Sequence, residues 1–421
     1  MNARVLRSFS SLRIFNYRLW AMGAFVSNVG TWMQRTAQDW LVLTQLTHHD
    51  ASAVGMVMAL QFGPQLLLLP WTGIAADHFD QRKLLMITQA TMGALALALG
   101  LLTITGAVQL WQVYGFAFLF GCASAFDGPV RQTFVGALVS DADLHNAVAL
   151  NSTSFNAGRM IGPAVAGVVI GSLGTGWAFL LNGLSFFAVL LSMSKFRLSE
   201  LRESKRAHRS RKGMSEGFVY AWTQPELRAN LVMLFLIGTF GLNFPIFIST
   251  MAVGVFHADA RGYGLLTSIM AIGTMSGALL AAGREQPRFG TLLSGAAIFG
   301  LGCALAALAP GYWMFAGALV VTGMAALTFT NTSNSLMQIS TEPSMRGRVM
   351  ALRLSIALGG TPIGAPIAGW VANHYGPRWA LAIGALSGCA AAVIGVTMLR
   401  RWTLSSTSLD RSGGACVDDG R

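Results

Sequence analysis

The chain has 421 residues, of which 53% are hydrophobic and only 11% charged, and its formal net charge is +12. Soluble domains carry about 25% charged residues, so too few charges remain here to solvate a globular surface, and water is not the main solvent of this protein. The basic excess does not point to nucleic acid, because Lys and Arg stand in short blocks between long apolar runs, which is a membrane pattern.

A helix crossing about 30 Å of hydrocarbon needs about 20 mostly apolar residues. Twelve runs meet that length, at roughly 19–44, 53–75, 84–105, 110–134, 146–171, 176–194, 229–253, 263–283, 289–309, 312–337, 349–373 and 378–399. The pattern predicts an all-α integral membrane fold of twelve transmembrane helices. Most connectors are short, and the long one divides the runs into six and six. Residues 1–194 then form an N-terminal six-helix bundle, 195–228 a basic cytoplasmic linker, 229–402 a second bundle, and 403–421 a polar, unstructured tail. In the loops of one side Lys and Arg abound, whereas the other side holds only Arg261 and Arg378. By the positive-inside rule the first side is the cytoplasm, which places both termini there and the spans in a plasma membrane. The linker, with Lys195, Arg197, Arg202 and the basic residues that follow, reads as a solvated connector that fixes topology.

Ionisable residues within spans are costly and usually face a bundle interior or cavity. Span 1 places Asn28, Trp32, Arg35 and Asp39 at steps of 4, 3 and 4, one helical stripe. Arg35 and Asp39 lie about 24 and 30 Å along this span, at about 1.5 Å per residue. The connector after span 2 reads Gly73-Ile-Ala-Ala-Asp77-His78-Phe79-Asp80-Gln81-Arg82. Span 4 places Asp127 and Arg131 one turn apart. Span 5 carries Arg159 near its middle, inside Gly158-Arg-Met-Ile-Gly162-Pro163-Ala-Val-Ala-Gly167. Gly158 and Gly162 make a face for close helix packing, and Pro163 favours a kink. Asp39 and Asp127 are both candidates to take up a coupling proton beside their Arg neighbours; the alternative for each is a static salt bridge. The second half offers amides instead of acids: Asn243 beside Pro245 on span 7, and Asn331, Asn334 and Gln338 on one face of span 10. These can hydrogen-bond a substrate or a neighbouring helix.

A constant offset of 202 residues pairs Gly158 with Gly360 and Gly162 with Gly364, so span 5 falls on span 11. Parallel six-helix halves are one construction of secondary transporters. No nucleophile–base set, metal cluster or phosphate loop appears, and the four cysteines show no pairing pattern, so the reading is not an enzyme and not an ATP-driven pump.

The segment from Gly73 to Arg82 resembles the loop signature G-x-x-x-D-R-x-G-R-R of the major facilitator superfamily. Gly73, Asp77 and Arg82 match, while His78, Asp80 and Gln81 depart from it. The resemblance implies a conformational latch at that loop. The span 5 segment resembles the antiporter motif of the same superfamily. Asn16-Tyr17-Arg18-Leu19-Trp20, Ser27–Arg35, Phe126–Gln132 and Arg346–Val349 look like the bacterial enterobactin-exporter and macrolide-efflux branch, over nearly the whole chain to about residue 400. This implies two pseudo-symmetric bundles around a central cavity. It also implies export of small, largely hydrophobic compounds by proton antiport and alternating access. The energy source would be the proton gradient, with no cofactor, no nucleic-acid partner and a monomeric protein in the bacterial inner membrane. Uptake or uniport within the same fold, and a non-transporting membrane sensor, are the rival expectations.

Overall fold

The computed structural model describes residues 10–202, 214–282 and 288–413, without the side chains of 73, 74, 76, 77, 214, 215, 281, 282 and 399–413. Among the described residues every regular element is helical, as hydrocarbon demands of a backbone that must satisfy its own hydrogen bonds. The first half comprises α1 (Phe15–Trp40), α2 (Ala51–Leu67), α3 (Leu69–His78), α4 (Gln81–Ile104), α5 (Leu110–Leu138), α6 (Asp141–Leu173) and α7 (Thr175–Ser194). The second comprises α8 (Met214–Thr223), α9 (Pro225–Leu236), α10 (Phe244–Gly254), α11 (Ala260–Ala282), α12 (Phe289–Leu308), α13 (Tyr312–Ile339), α14 (Arg346–Tyr375) and α15 (Pro377–Gly413).

Nine stretches among the described residues are long and apolar enough to cross a membrane, with α9 and α10 together as Pro225–Gly254. The other three predicted runs are helical too. Helices α1 and α6 are long but carry embedded charge, and α2 is apolar but spans 17 residues. Departures from the hydropathy reading occur at identifiable residues. The second run breaks at Leu68, between Pro64 inside α2 and Pro70 at the start of α3. The seventh breaks at Leu242 and Asn243, because Pro245 lacks the amide needed to continue the ladder. The linker is not wholly irregular, since α8 lies within it. The tail expected to be unstructured from 403 is helical to Gly413, continuing α15. Extending an existing helix costs far less than nucleating one.

Within the first half, α1 packs on α6 and α7, α4 on α5 and α7, and α2 on α5. In the second, α12 packs on α13 and α15, α11 on α13, and α9 on α15. Two pairs make most of the contact between the halves, α2 with α14 and α6 with α11, and α10 adds smaller contacts with α1 and α2. Both main pairs meet toward the face that carries turns 47–50 and 255–259, here the far face; the connector face holds 195–202. At the far face Asn373 accepts from the Ala51 amide at 2.7 Å and donates to Ser52 Oγ at 2.9 Å and to Asp50. A Cβ on Gly55 would meet the Ala365 carbonyl, and one on Gly369 the Ala51 carbonyl. Backbones approach closely there because both sides of the seam offer small residues.

Candidate transport site

The stripe predicted on α1 exists, and it divides along its length. Asn28 donates to Ser154 Oγ of α6 at 3.1 Å. Cβ atoms on Gly158 and Gly162 would lie 2.8 Å from Asn28 Cβ and 2.6 Å from Trp32 Cβ. These two glycines therefore seat α6 directly on α1. Gly167 faces elsewhere: a Cβ there would come 2.9 Å from the Ala260 carbonyl of α11. On that same seam a Cβ on Gly264 would run into the Pro163 carbonyl. One motif thus holds a helix inside its half and also closes the junction between halves.

Trp32 gathers the charges. The guanidinium carbon of Arg35 lies 4.9 Å from the Trp32 ring centroid, and that of Arg159 lies 5.6 Å from it. Arg35 also sits 5.3 Å from the Phe62 ring of α2, and Phe155 packs edge-on against Trp32 at 5.7 Å. Neither arginine forms an ion pair with a described carboxylate, and Arg35 Nε is buried without a hydrogen-bond partner. An arginine at a helix centre costs about 2.5–3.5 kcal/mol on insertion scales. A cation–π contact returns about 0.5–2 kcal/mol, so these contacts offset only part of that cost.

The static Arg35–Asp39 salt bridge, the alternative for this pair, does not form. Asp39 is buried and its carboxylate accepts one hydrogen bond, from Tyr263 Oη of α11 at 3.4 Å. Trp40 stacks on the same Tyr263 with centroids 6.0 Å apart. The acid of span 1 is therefore bonded across the two halves, next to the far-face seam.

Asp127 has the opposite surroundings. Its Oδ1 accepts from Thr88 Oγ1 at 3.0 Å and Gln89 Nε2 at 2.6 Å, both on α4, and its Oδ2 accepts from Arg131 Nε at 3.0 Å. Arg131 in turn lies 5.6 Å from the Trp20 ring. The pair that sequence placed on the cavity turns toward α4 and ties three helices of one bundle. Helical spacing shows which residues share a face, not which neighbour that face meets.

Among the amides, Asn243 is fully buried and donates to the Thr239 carbonyl at 2.7 Å. It supports the break in span 7 against α14 instead of lining a cavity, a correction to the sequence reading. Asn331 and Asn334 are half-buried within α13 and form no hydrogen bond to described residues, so they remain open to a ligand. Gln338 is exposed near the connector face. Of the latch loop, the surroundings of Gly73 and the side chain of Asp77 lie outside the described residues. Arg82 donates to the Met193 carbonyl at 3.0 Å, a bond within the first half.

Two residues were not singled out from sequence. Tyr263 looked like one aromatic among many in an apolar run. Arg353, inside the predicted run 349–373, is a fourth embedded arginine; its Nη2 donates to the Thr330 carbonyl of α13 at 3.0 Å. Its charge in an apolar window was a readable signal. Arg159, Asn331, Asn334 and Arg353 all keep partial exposure within their spans. Toward the far face the halves are joined by the α2–α14 and α6–α11 junctions.

Helical bundles arranged in this way, with embedded charge at their junction, define a membrane transporter of the major facilitator fold. The profile of the transmembrane secretion effector family matches residues 6–413, and the chain belongs to that family, within the major facilitator superfamily. It is 28% identical to the staphyloferrin A transporter of Staphylococcus aureus, over 59% of this chain and 62% of that one. It is 25% identical to the multidrug efflux pump Tap of Mycolicibacterium fortuitum, over 84% and 88%. With the enterobactin exporter EntS of Shigella boydii it shares 24% identity over 85% of each chain. The fold is similar to that of a bacterial homologue of the lysosomal transporter Spinster in an inward-facing, unoccupied conformation, with TM-score 0.65, 16% identity, and 96% and 98% coverage.

Proposed function

We propose that this chain is a secondary exporter that moves small, largely hydrophobic compounds out across the bacterial inner membrane in exchange for protons, by alternating access. It acts as a monomer with both termini in the cytoplasm and no cofactor. The likeness to drug and siderophore exporters supports the direction. The observation that carries the mechanism is the Asp39–Tyr263 bond. A buried acid with one long hydrogen bond and no ion pair loses little by gaining a proton. Its donor sits on the other half, so separation of α1 from α11 breaks the bond and opens Asp39 to the far face. Proton uptake and far-face opening are then one event. In this reading a state with the far face sealed loads substrate from the cytoplasm.

The test is Asp39→Asn in proteoliposomes, using a compound first found by export from efflux-deficient cells among a macrolide, ethidium and a catecholate. Driven accumulation by a pH gradient should fall about tenfold or more, the loss expected when a proton-transfer group is removed. Substrate exchange without a gradient should survive. Retained pH-driven accumulation would remove Asp39 from the mechanism.

A further inference from the structure

The two arginines on Trp32 are not accounted for by proton exchange. Arg35 and Arg159 come from different helices, α1 and α6, and converge on one indole. The α6 helix is held against α1 by glycines whose replacement would strike Asn28 and Trp32, so the closeness of the two helices that carry the cations is fixed by backbone packing. Neither forms an ion pair with a described carboxylate, and Asp39, one helical turn from Arg35, is hydrogen-bonded to Tyr263. Phe62 and Phe155 add apolar walls, and Phe155 is 48% exposed. A planar guanidinium fork recognises carboxylate, sulfonate and phosphate oxygens by paired hydrogen bonds.

We infer that Arg35, Arg159 and Trp32 form the recognition site for an organic anion that carries an aromatic or apolar body beside its charge. The anionic group lies between the two guanidinium forks and takes up the unsatisfied Nε of Arg35. The apolar body lies against Trp32 and Phe155. A cationic substrate is disfavoured at this position, since it would meet two like charges in a medium of low dielectric. The inference rests on the transport reading only for the route of the ligand; the site itself is a matter of binding.

Four probes of one shape and different charge test it: naphthalenesulfonate, naphthoate, naphthylmethylammonium and naphthylmethanol, titrated by calorimetry into the full chain in nanodiscs. The two anions should bind at least about tenfold tighter than the cation, the scale of one charge-assisted hydrogen bond. Arg159→Gln should remove that preference, while Arg159→Lys should keep part of it and leave the neutral probe unchanged. If the Gln variant does not purify as a monodisperse protein, Arg159→Lys and Arg35→Lys carry the test. A lone ammonium cannot reproduce the fork, so both should weaken the anions and spare the neutral probe. Equal binding of cation and anions, no binding of either anion, or anion affinity indifferent to these substitutions would overturn the site. Anion binding without flux would instead overturn the export reading and leave the site standing.

Discussion

Asp127 uses both carboxylate oxygens, toward Thr88, Gln89 and Arg131, whereas Asp39 uses one, toward Tyr263. This difference predicts different mutant phenotypes for two acids that look alike in sequence. Asp127→Asn leaves the part-buried Arg131 guanidinium without its counter-charge and should destabilise the protein by about 1–3 kcal/mol. Proton coupling per folded molecule should persist. Thermal unfolding in detergent, together with pH-driven transport by the surviving protein, measures both effects. A variant as stable as the parent but uncoupled would transfer the proton role to Asp127. At this scale the stripe of Asn28, Trp32, Arg35 and Asp39 was legible, because a period of 3.6 residues is local information. Its partner was not: Tyr263 lies 224 residues away, and nothing in the apolar run around it marks that contact. Asn243 failed differently, since an amide beside a proline suits a ligand site and a broken helix equally well.

Helices α6 and α11 meet through Gly167, Gly264 and the Pro163 carbonyl, close enough that a side chain on Gly264 has no room. If this seam forms and parts in each cycle, Gly264→Leu should prevent the far face from closing and lower transport about tenfold, since overpacking costs about 1–3 kcal/mol. Gly115, with open space around it, supplies the control: Gly115→Leu should purify and transport like the parent. Equal activity of the two variants in vesicles would mean that the seam does not set the rate. Sequence placed nearly all the long helices because hydropathy summed over a window needs no tertiary context. It also found the Gly158–Gly167 motif. It did not divide that motif between α1 and α11, because small residues announce a close approach without naming what approaches. The breaks at Leu68 and Asn243 were signalled by prolines, yet a proline within a span kinks in one context and interrupts in another.

For the molecule as a whole, the charge of the cargo decides how the membrane potential acts. An ionised Asp39 and a bound anion would both draw on Arg35, so they do not exchange by displacement at one charge. In the proposed mechanism the exchange would run through far-face closure at Tyr263, with proton and cargo bound in alternate orientations. Moving one elementary charge through the membrane is worth about 2.3 kcal/mol per 100 mV. A monoanion leaving as one proton enters transfers two charges in the favourable sense, a neutral cargo one, and a monocation none. At 100 mV the anion's gradient would then gain about three orders of magnitude, the neutral cargo's about half as many, and the cation's nothing. In proteoliposomes with a fixed pH gradient, collapsing the potential with valinomycin and potassium should therefore reduce accumulation of naphthalenesulfonate far more than that of naphthylmethanol. Retention of a neutral probe depends on its leak, so initial rates are the quantity to compare. Equal sensitivity of the two rates would exclude both an anionic cargo and the electrogenic exchange that follows from it.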